Sequence, residues 1–420
     1  MENEATIQRV YDESAGRIRD TDCAFHRYLY SQIDWSSRVI ALNGPKGVGK
    51  TTMLLQYLKE HREEAEHALY VSLDDIWVDA FELYDLVQYH VQNGGTSVFI
   101  DEVHYLRDWS RLVKNLYDSF KSLRIAYTGS SILQMKRGSG DLSRRQVEYS
   151  LSGLSFREFL ALEGKGDFKA VDLKVLLRDH VKIAEGITSK TRILPLFRRY
   201  LAMGYYPFYR EDTAHYGRKL VQVVNQVLER DLPMVEDITP DTIRKARRML
   251  SILAASTPQT PNITELSRNL GMDRKQGIKI LYLLQRAGLT GLLAEDADSL
   301  KYLGAPNKIF CDNGNLMHAL VARPDVGTLR EVFFNNQLGV AHVTTCPKRG
   351  DFLVDGKWLF EIGGARKTFA QIKDEPDSFL AVDDTEVGRG NRIPLWLFGF
   401  LNPTPVGGIW SKWPDLVKYT

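Results

Sequence analysis

Residues 38–52 read RVIALNGPKGVGKTT, a short apolar run followed by a glycine-rich loop. Within this stretch, residues 44–51 fit the pattern GxxxxGK[ST] at every fixed position. Glycines let the backbone curl so that several N–H groups point inward at phosphate oxygens, and the helix that follows adds the positive end of its dipole. The order of apolar run, glycine-rich loop and helix therefore predicts a phosphate-binding loop in an α/β sheet.

This predicted phosphate loop supplies most of the expected nucleotide contacts. We expect Lys50 to reach the β- and γ-phosphates and the Thr51 hydroxyl to ligate Mg²⁺. No NKxD-like guanine motif follows, which favours ATP over GTP. ATP and Mg²⁺ are thus the predicted cofactors. The predicted nucleotide-binding residues are Gly44, Pro45, Lys46, Gly47, Val48, Gly49, Lys50, Thr51 and Thr52.

A second chemical element is the apolar run SVFIDE at residues 97–102, which ends in two acids. Asp101 is expected to hold Mg²⁺ through one of its waters. Glu102 is placed to orient or deprotonate an attacking water. The paired acids favour hydrolysis of the nucleotide over simple binding.

Three further polar residues are candidates for the same site. Residues 127–131 (YTGSS) end the next apolar run, and we expect the Ser130 hydroxyl to contact the γ-phosphate or the water. Arg145 follows a GSGD stretch, and an arginine near a γ-phosphate is worth on the order of 10³–10⁵ in kcat. A solvated basic loop is the alternative for Arg145. His104 either flanks the site or is a structural histidine.

Composition places the chain among ordinary globular proteins. It has 420 residues, 44% hydrophobic and 26% charged, with a net charge of +2. These values exclude a collagen-like or disordered chain and a uniform nucleic-acid coat, and the length suggests two to four domains. The three cysteines are far apart, which argues against a disulfide framework or structural zinc. A polar N-terminus and no long apolar run predict a cytoplasmic protein without a membrane segment.

The motifs together resemble a known family. The segments GPKGVGKTT (44–52), VFIDEVH (98–104), TGSS (128–131) and SRRQVEYSLSGLSFREFL (143–160) resemble the AAA-type ATPases of bacteria and archaea, of the AAA_14 type. In that family the core is joined to a C-terminal domain of unknown function, of the DUF4143 type with a restriction-endonuclease-like fold. The resemblance implies that Lys50, Thr51, Asp101, Glu102 and Ser130 have the roles given above. Arg145 matches the family's arginine by spacing; its action in cis or in trans, like the oligomeric state, is left open.

The predicted fold class is α/β. Apolar strands alternate with helical segments, which indicates a parallel sheet with helices on both faces. We expect a P-loop NTPase core with a helical lid, a winged-helix module and a C-terminal α/β restriction-endonuclease-like domain. The predicted boundaries are 1–160 for the core with its N-terminal helix, 161–238 for a helical region, 239–300 for the winged helix and 301–420 for the C-terminal domain.

Residues 241–290 form a basic segment with a net charge of +6. Residues 262–293 predict helix, glycine turn, helix and short strand, with Thr264 before the first helix and Asp273 as cap of the second. This order is typical of a winged helix-turn-helix, whose second helix can enter a major groove of DNA. DNA contact and a protein-interaction or lid role are both open for this segment.

The C-terminal region carries Glu331, Asp351 and Glu361 around an Asp355-Gly356 hairpin signal. The spacing resembles the restriction-endonuclease-like metal site, in which carboxylates bind Mg²⁺ and a lysine activates water. Glycine stands at position 363, where that lysine belongs, although Arg366 or Lys367 could reach back and Gln371 could complete a remnant site. A degenerate domain that binds a protein partner is therefore expected ahead of an active nuclease.

Three functional hypotheses follow. The leading one is an Mg²⁺-dependent, ATP-binding and ATP-hydrolysing AAA+-like molecular switch that couples nucleotide state to binding of a partner or DNA. The first alternative is a DNA-binding regulator in which ATP is structural. The second is an ATP-gated, metal-dependent nuclease.

Overall fold

The computed structural model describes residues 2–74, 83–106, 108–130, 142, 144–235, 237–256, 262–295 and 305–401. The chain divides into two units. The first comprises Met1–Leu151 and Arg230–Asp237, and the second comprises Ser152–Glu229 and Ile238–Tyr419. The chain therefore leaves the first unit after residue 151 and returns to it for a short segment eighty residues later.

The first unit is built on a five-stranded parallel sheet with the order β2-β3-β4-β1-β5. Every residue of the first three strands in the chain is buried, as expected for a parallel sheet covered on both faces. The polar edge strand β5 was not predicted. The strands are β1 (Val39–Gly44), β2 (Ala68–Ser72), β3 (Ser97–Asp101), β4 (Arg124–Ser130) and β5 (Val147–Ser150).

Helices of the first unit pack around this sheet. Leu86 and Val87 of one helix and Leu116 of another belong to the same buried cluster as the strand residues Val98 and Ile125. The helices along this part of the chain are α1 (Glu2–Asp20), α2 (Lys50–Glu60), α3 (Arg62–Ala65), α4 (Leu83–Gln92) and α5 (Trp109–Ser119).

The mixed charge of residues 5–34 predicts one helix, and this prediction is wrong in its second half. Helix α1 ends at Asp20, where the Thr21 hydroxyl donates to the Arg17 carbonyl at 2.7 Å. The Asp22 carboxylate then accepts from the Ala24 N–H at 2.8 Å, a local bond that competes with continued helix. Only a short 3₁₀ turn, Tyr28–Ser31, follows before the sheet begins.

The second unit begins with helices and contains a helix-turn-helix followed by a β hairpin. The hairpin is the antiparallel pair β6 (Thr290–Leu293) and β7 (Lys308–Cys311). The helices that follow α5 along the chain are α6 (Phe156–Leu162), α7 (Leu173–Thr188), α8 (Ile193–Met203), α9 (Tyr216–Gln226), α10 (Leu232–Val235, in the segment of the first unit), α11 (Pro240–Ala255), α12 (Ile263–Asn269) and α13 (Arg274–Arg286).

The helix boundaries in the basic segment follow from their caps. Asp273 caps α13 by accepting from the Gln276 N–H at 2.8 Å, which confirms that prediction. Thr264 does not precede α12, because Asn262 is the cap and its side chain accepts from the Glu265 N–H at 3.1 Å. Gly277 is needed for close packing of α12 on α13, since a Cβ there would lie 1.9 Å from the Ser267 hydroxyl oxygen.

The C-terminal part of the second unit is a mixed sheet with the order β12-β11-β10-β9-β8. Strands β8, β9 and β10 pair antiparallel, and strands β10, β11 and β12 pair parallel. Asp355 and Gly356 both have positive φ, 52° and 66°, in the turn between β9 and β10, so the predicted hairpin is confirmed. The elements are α14 (Gly314–Leu320), α15 (Val326–Leu338), β8 (Thr344–Thr345), β9 (Phe352–Val354), β10 (Trp358–Gly363), β11 (Ser378–Val382) and β12 (Arg392–Pro394).

The predicted α/β class is thus confirmed, with a parallel sheet first and a mixed sheet last. Across the described ranges of the chain, none of the helices combines the length and the apolar character that crossing a bilayer requires.

Candidate functional site

The phosphate loop connects the carboxyl end of β1 to the first turn of α2. Gly47 and Gly49 adopt φ values of 83° and 98°, which side chains with a Cβ rarely allow. The Val48 side chain is fully buried, and its carbonyl accepts from Arg27 Nη1 at 2.6 Å. The loop is therefore anchored by the buried Val48 side chain and by the bond from Arg27, a buried residue that was not predicted from the sequence.

Lys50 is the buried cation of this loop, with 4% of its surface exposed. Its ammonium donates to the carbonyls of Gly44 and Pro45, both at 3.0 Å. Both acceptors belong to the loop itself, so the ammonium lies against the segment predicted to surround phosphate. Thr52, by contrast, is exposed in the first turn of the helix.

Asp101, at the end of β3, is the centre of a hydrogen-bond cluster. The Thr51 hydroxyl donates to its Oδ2 at 2.8 Å, and the Tyr70 hydroxyl donates to the same oxygen at 3.0 Å. The Thr128 hydroxyl donates to Oδ1. Asp101 is 3% exposed. The fold thus brings the loop threonine and the strand acid together, as the sequence predicts for a shared metal ion.

The electrostatics of Asp101 fit a cation. Burial, and then the charge of Glu102, raise the pKa of Asp101, while bonds from Thr128 and Thr51 oppose the rise. A buried carboxylate whose ionised form is disfavoured gains most from a divalent cation. The donor set of one hydroxyl and one carboxylate suits Mg²⁺, which prefers oxygen ligands and retains several waters. Thr51 and Asp101 would therefore hold the ion.

Glu102 follows Asp101 in a left-handed conformation, with φ 55° and ψ 48°. Its N–H donates to the Thr128 hydroxyl oxygen at 2.8 Å, which fixes this backbone against β4. Its carboxylate Oε2 lies 3.2 Å from His104 Nδ1. Left-handed backbone at a non-glycine residue costs roughly 1–3 kcal/mol and is concentrated at functional sites. The turn therefore places the Glu102 carboxylate beside His104.

Ser130 and Thr128 lie two residues apart on β4. Ser130 is buried and pairs in register with Gly44, the last residue of β1, so it lies at the carboxyl edge of the sheet. Thr128 is fully buried and makes the bonds to Asp101 and Glu102 described above. Thr128 was not predicted from the sequence, although a hydroxyl inside an otherwise apolar strand was a signal for it.

Arg145 lies near the amino-terminal ends of the strands, whereas the phosphate loop follows the carboxyl end of β1. It precedes β5, whose first residue Val147 pairs with Ile40 near the start of β1. Its Nε is 3.5 Å from Asp118 Oδ1, and its guanidinium lies 5.6 Å from the centre of the Tyr117 ring, both at the end of α5. At about 3.3 Å per residue, the amino and carboxyl ends of the strands are more than about 10 Å apart. The fold does not bring Arg145 to the loop of its own chain, so of the two roles left open by the sequence only action in trans stays open.

The C-terminal acids form a second cluster, in the second unit. Lys308 Nζ is 3.0 Å from Glu331 Oε2 and 3.4 Å from Asp351 Oδ1. Asp351 Oδ2 also accepts from the Ile362 N–H at 2.8 Å. Burial first, and the neighbouring Asp351 after it, raise the pKa values of both Glu331 and Glu361. The three predicted acids are therefore neighbours. We call these three acids, together with Lys308 and Lys367, the acid–lysine cluster.

Lys367 supplies the cation that the sequence pattern lacks. Its Nζ is 2.5 Å from Glu361 Oε1. In its hydrogen-bonding orientation the Gln371 amide donates to the same carboxylate, at 2.5 Å to Oε1 and 3.0 Å to Oε2. A Cβ at Gly363 would lie 2.7 Å from three carbons of the Lys367 side chain. Glycine at position 363 thus makes room for the lysine that reaches back.

Comparison with known families agrees with this geometry for the first unit. Residues 36–160 match a family model described as an AAA domain. That segment is similar to AAA domains. Residues 194–325 match a domain of unknown function, DUF8612. The expectation of a DUF4143-type C-terminal domain is therefore not supported.

Two relatives of the chain are described as uncharacterized proteins. One, from Methanocaldococcus jannaschii, is 28% identical over 60% of this chain and 55% of its own length. The other, from Haemophilus influenzae, is 31% identical over 28% of this chain and 32% of its own length. The chain thus matches about half of the first relative and a third of the second.

Solved structures give weaker similarities. The S. cerevisiae Hsp104–ADP complex has a TM-score of 0.31 at 16% identity, covering 66% of this chain and 41% of that one. AMPPCP-bound DnaA from Aquifex aeolicus has a TM-score of 0.23 at 17% identity, covering 61% and 84%. At such TM-scores the similarity carries no functional argument.

Proposed function

We propose that the first unit binds ATP with Mg²⁺ and hydrolyses it, as an AAA+-like molecular switch whose nucleotide state controls binding of a partner or DNA. The observation that carries the proposal is the contact between Thr51 and Asp101 beside the buried Lys50. It joins a phosphate loop to an acidic strand end, the two parts that phosphoryl chemistry requires. The AAA-domain match over residues 36–160 supports the same conclusion.

Each residue has a distinct task in this proposal. Loop N–H groups and Lys50 bind the phosphates, and Thr51 and Asp101 hold the metal ion. When bound, Mg²⁺ neutralises charge that develops on the phosphate oxygens. Glu102 orients the attacking water and accepts its proton. Thr128 keeps both acids in place through its two hydrogen bonds.

The first experiment compares Lys50→Ala with Lys121→Ala, an exposed lysine of the same unit. We expect Lys50→Ala to weaken ATP binding about 10–100-fold, because it removes charge-assisted hydrogen bonds worth about 1.5–3 kcal/mol. Lys121→Ala should bind as the wild type does. Binding is measured with a fluorescent ATP analogue, and turnover by phosphate release with Mg²⁺ or EDTA. Equal ATP affinity in both variants would contradict the assignment of the loop.

The partner half of the proposal rests on the basic segment 241–290. Arg268, Arg274 and Lys275 are exposed on α12 and at the start of α13, where a groove-binding helix would present cations. The turnover assay is therefore repeated with duplex DNA at low and high salt. DNA that binds through phosphates should lose affinity steeply with salt. If duplex DNA neither binds nor changes turnover at low salt, DNA is rejected as the partner.

A second candidate function is metal-dependent nuclease activity in the second unit, supported by the acid–lysine cluster. Lys367 lies on Glu361, and Gly363 leaves the space for it. A lysine that arrives from four residues later can activate water as one in the usual position does. The cluster therefore retains the residue types of a nuclease site although their spacing in the sequence differs.

The matched test is Lys367→Ala against Lys373→Ala, an exposed lysine of the same connection. If the cluster is a nuclease site, DNA cleavage in Mg²⁺ or Mn²⁺ should fall at least about 100-fold in Lys367→Ala and persist in Lys373→Ala. Cleavage is followed on labelled single- and double-stranded DNA. Cleavage that survives Asp351→Ala, or no cleavage by the wild type, would remove this candidate.

A further inference from the structure

Asp231 is a buried acid that enters the first unit from a distant part of the chain. It is 1% exposed and belongs to the returning segment, Arg230–Asp237. It is also the last residue of a π-helical turn, Val227–Asp231. Such turns are uncommon and recur at functional sites. A buried carboxylate on this segment needs a physical reason, because burying an acid is costly unless it is paired.

His104 lies between Asp231 and Glu102. Its Nδ1 is 3.2 Å from Glu102 Oε2, and its Nε2 is 3.7 Å from Asp231 Oδ1. The side chains of His104 and Asp231 are almost fully buried, at 3% and 1% exposure, whereas 15% of Glu102 is exposed. Because the partner at one ring nitrogen influences what the other nitrogen carries, Asp231 is positioned to affect the face that His104 presents to Glu102.

A second contact joins Asp231 to the phosphate loop. The Tyr105 hydroxyl donates to Asp231 Oδ1 at 3.2 Å and accepts from Lys46 Nζ at 3.0 Å. Burial by itself would raise the pKa of Asp231, but His104 and then Lys46 lower it below its ordinary value. The Asp231 carboxylate therefore lies beside His104, which follows the acidic strand, and contacts Tyr105, which binds Lys46 of the phosphate loop.

The acids around His104 lie close to its ring, but the hydrogen-bonding capacity of these groups is not fully used. Within the described residues, Asp231 Oδ2 and both ring nitrogens of His104 lack a well-aligned hydrogen bond. A purely structural buried pair is normally satisfied, and each exception needs an explanation. In catalytic sites, bonds to a base are often long or poorly aligned. The arrangement therefore resembles a positioning contact more than a structural one.

We propose that Asp231 is a positioning residue that holds His104 against Glu102, so that the carboxylate which orients the water stays in place. The inference rests on the ATP hydrolysis proposed above. It assigns a role to a segment that lies more than one hundred residues after the acidic strand. It also makes the rate of hydrolysis depend on the placement of residues 230–237 in the first unit.

The test separates nucleotide affinity from the rate of hydrolysis. Asp231→Asn should lower kcat about 10–100-fold, the usual loss when a carboxylate that orients a functional histidine is removed. Its ATP affinity should stay within about threefold of the wild type. Asp237→Asn, the same change at an exposed acid of the same segment, should alter neither value. His104→Gln should reproduce the loss of Asp231→Asn.

A double variant tells positioning from damage to the fold. Asp231→Asn should have less than a twofold further effect in a Glu102→Gln background, because both changes act through one carboxylate. An unchanged kcat in Asp231→Asn overturns the inference. So does an equal fractional loss in the wild-type and Glu102→Gln backgrounds.

One readout does not depend on hydrolysis. In ¹⁵N-histidine NMR spectra, the His104 signal, assigned by its loss in His104→Gln, should move in both Asp231→Asn and Glu102→Gln. If the wild type hydrolyses ATP no faster than Glu102→Gln, the proposed hydrolysis fails, and the NMR experiment still decides the contact. A His104 signal that neither substitution moves overturns the inference.

Discussion

Glu102→Gln is expected to bind ATP as the wild type does and to hydrolyse it about 10²–10⁴-fold more slowly, the usual contribution of a positioned general base. The amide keeps the size of the carboxylate but cannot accept the proton from water. The backbone of Glu102 should not move, since its N–H still donates to Thr128. Phosphate release under saturating ATP measures the effect, together with affinity for an ATP analogue.

The matched control is Glu66→Gln, an exposed glutamate that follows α3 in the same unit. It should leave both turnover and affinity unchanged. Two results would contradict the role of Glu102. One is hydrolysis at the wild-type rate, and the other is loss of ATP binding together with turnover, which would indicate a structural role.

Gly44→Ala is expected to lower the melting temperature and ATP affinity together. An added Cβ would lie 2.3 Å from the carbonyl oxygen of Leu151, a backbone atom. That backbone cannot easily withdraw, because the Leu151 N–H donates to the Asn43 carbonyl at 2.8 Å. Overpacking of this kind costs about 1–3 kcal/mol. Thermal melting followed by circular dichroism, and binding of an ATP analogue, measure the two effects.

Gly16→Ala is the control for this substitution. Gly16 lies inside α1, and the nearest atom to an added Cβ is Arg19 Nη2 at 3.8 Å. Alanine should therefore stabilise the helix by up to about 1 kcal/mol. If Gly44→Ala melts at or above the wild-type temperature, the loop and β5 are not packed as described.

Local motifs made the phosphate loop predictable. Its residues are contiguous, and the glycines, Lys50 and Thr51 have tasks set by their spacing alone. The acidic strand was equally easy to predict from the sequence, because an apolar run that ends in Asp101 and Glu102 is unusual. Parallel strands end at one edge of the sheet, so the meeting of Thr51 and Asp101 could be expected before the structure was known.

Other parts of the candidate site could not be predicted in this way. Ser130 was predicted from a hydroxyl at the end of a strand, whereas Thr128, in the interior of the same strand, was not predicted. Arg145 matched a spacing, yet the fold places it among the side chains at the end of α5. A match of spacing fixes where a residue stands in the chain but not which edge of the sheet it occupies.

Charge patterns had a similar limit. The +6 of residues 241–290 predicted a basic module, and the structure exposes several of its cations. Asp241 nevertheless pairs with Arg244 and Lys245, at 3.1 Å and 2.8 Å. The net charge of a segment therefore overstates the number of its cations that face solvent without an acidic partner.

The sequence by itself determined the α/β class, the phosphate loop and the acidic strand, because each depends on neighbours within about ten residues. Only the tertiary structure decided that Asp231 lies beside His104 and that Lys367 lies on Glu361. The first pair joins residues more than one hundred positions apart, and the second depends on a glycine that leaves space. Such contacts come from burial and packing of whole segments, which no local pattern of residue types specifies.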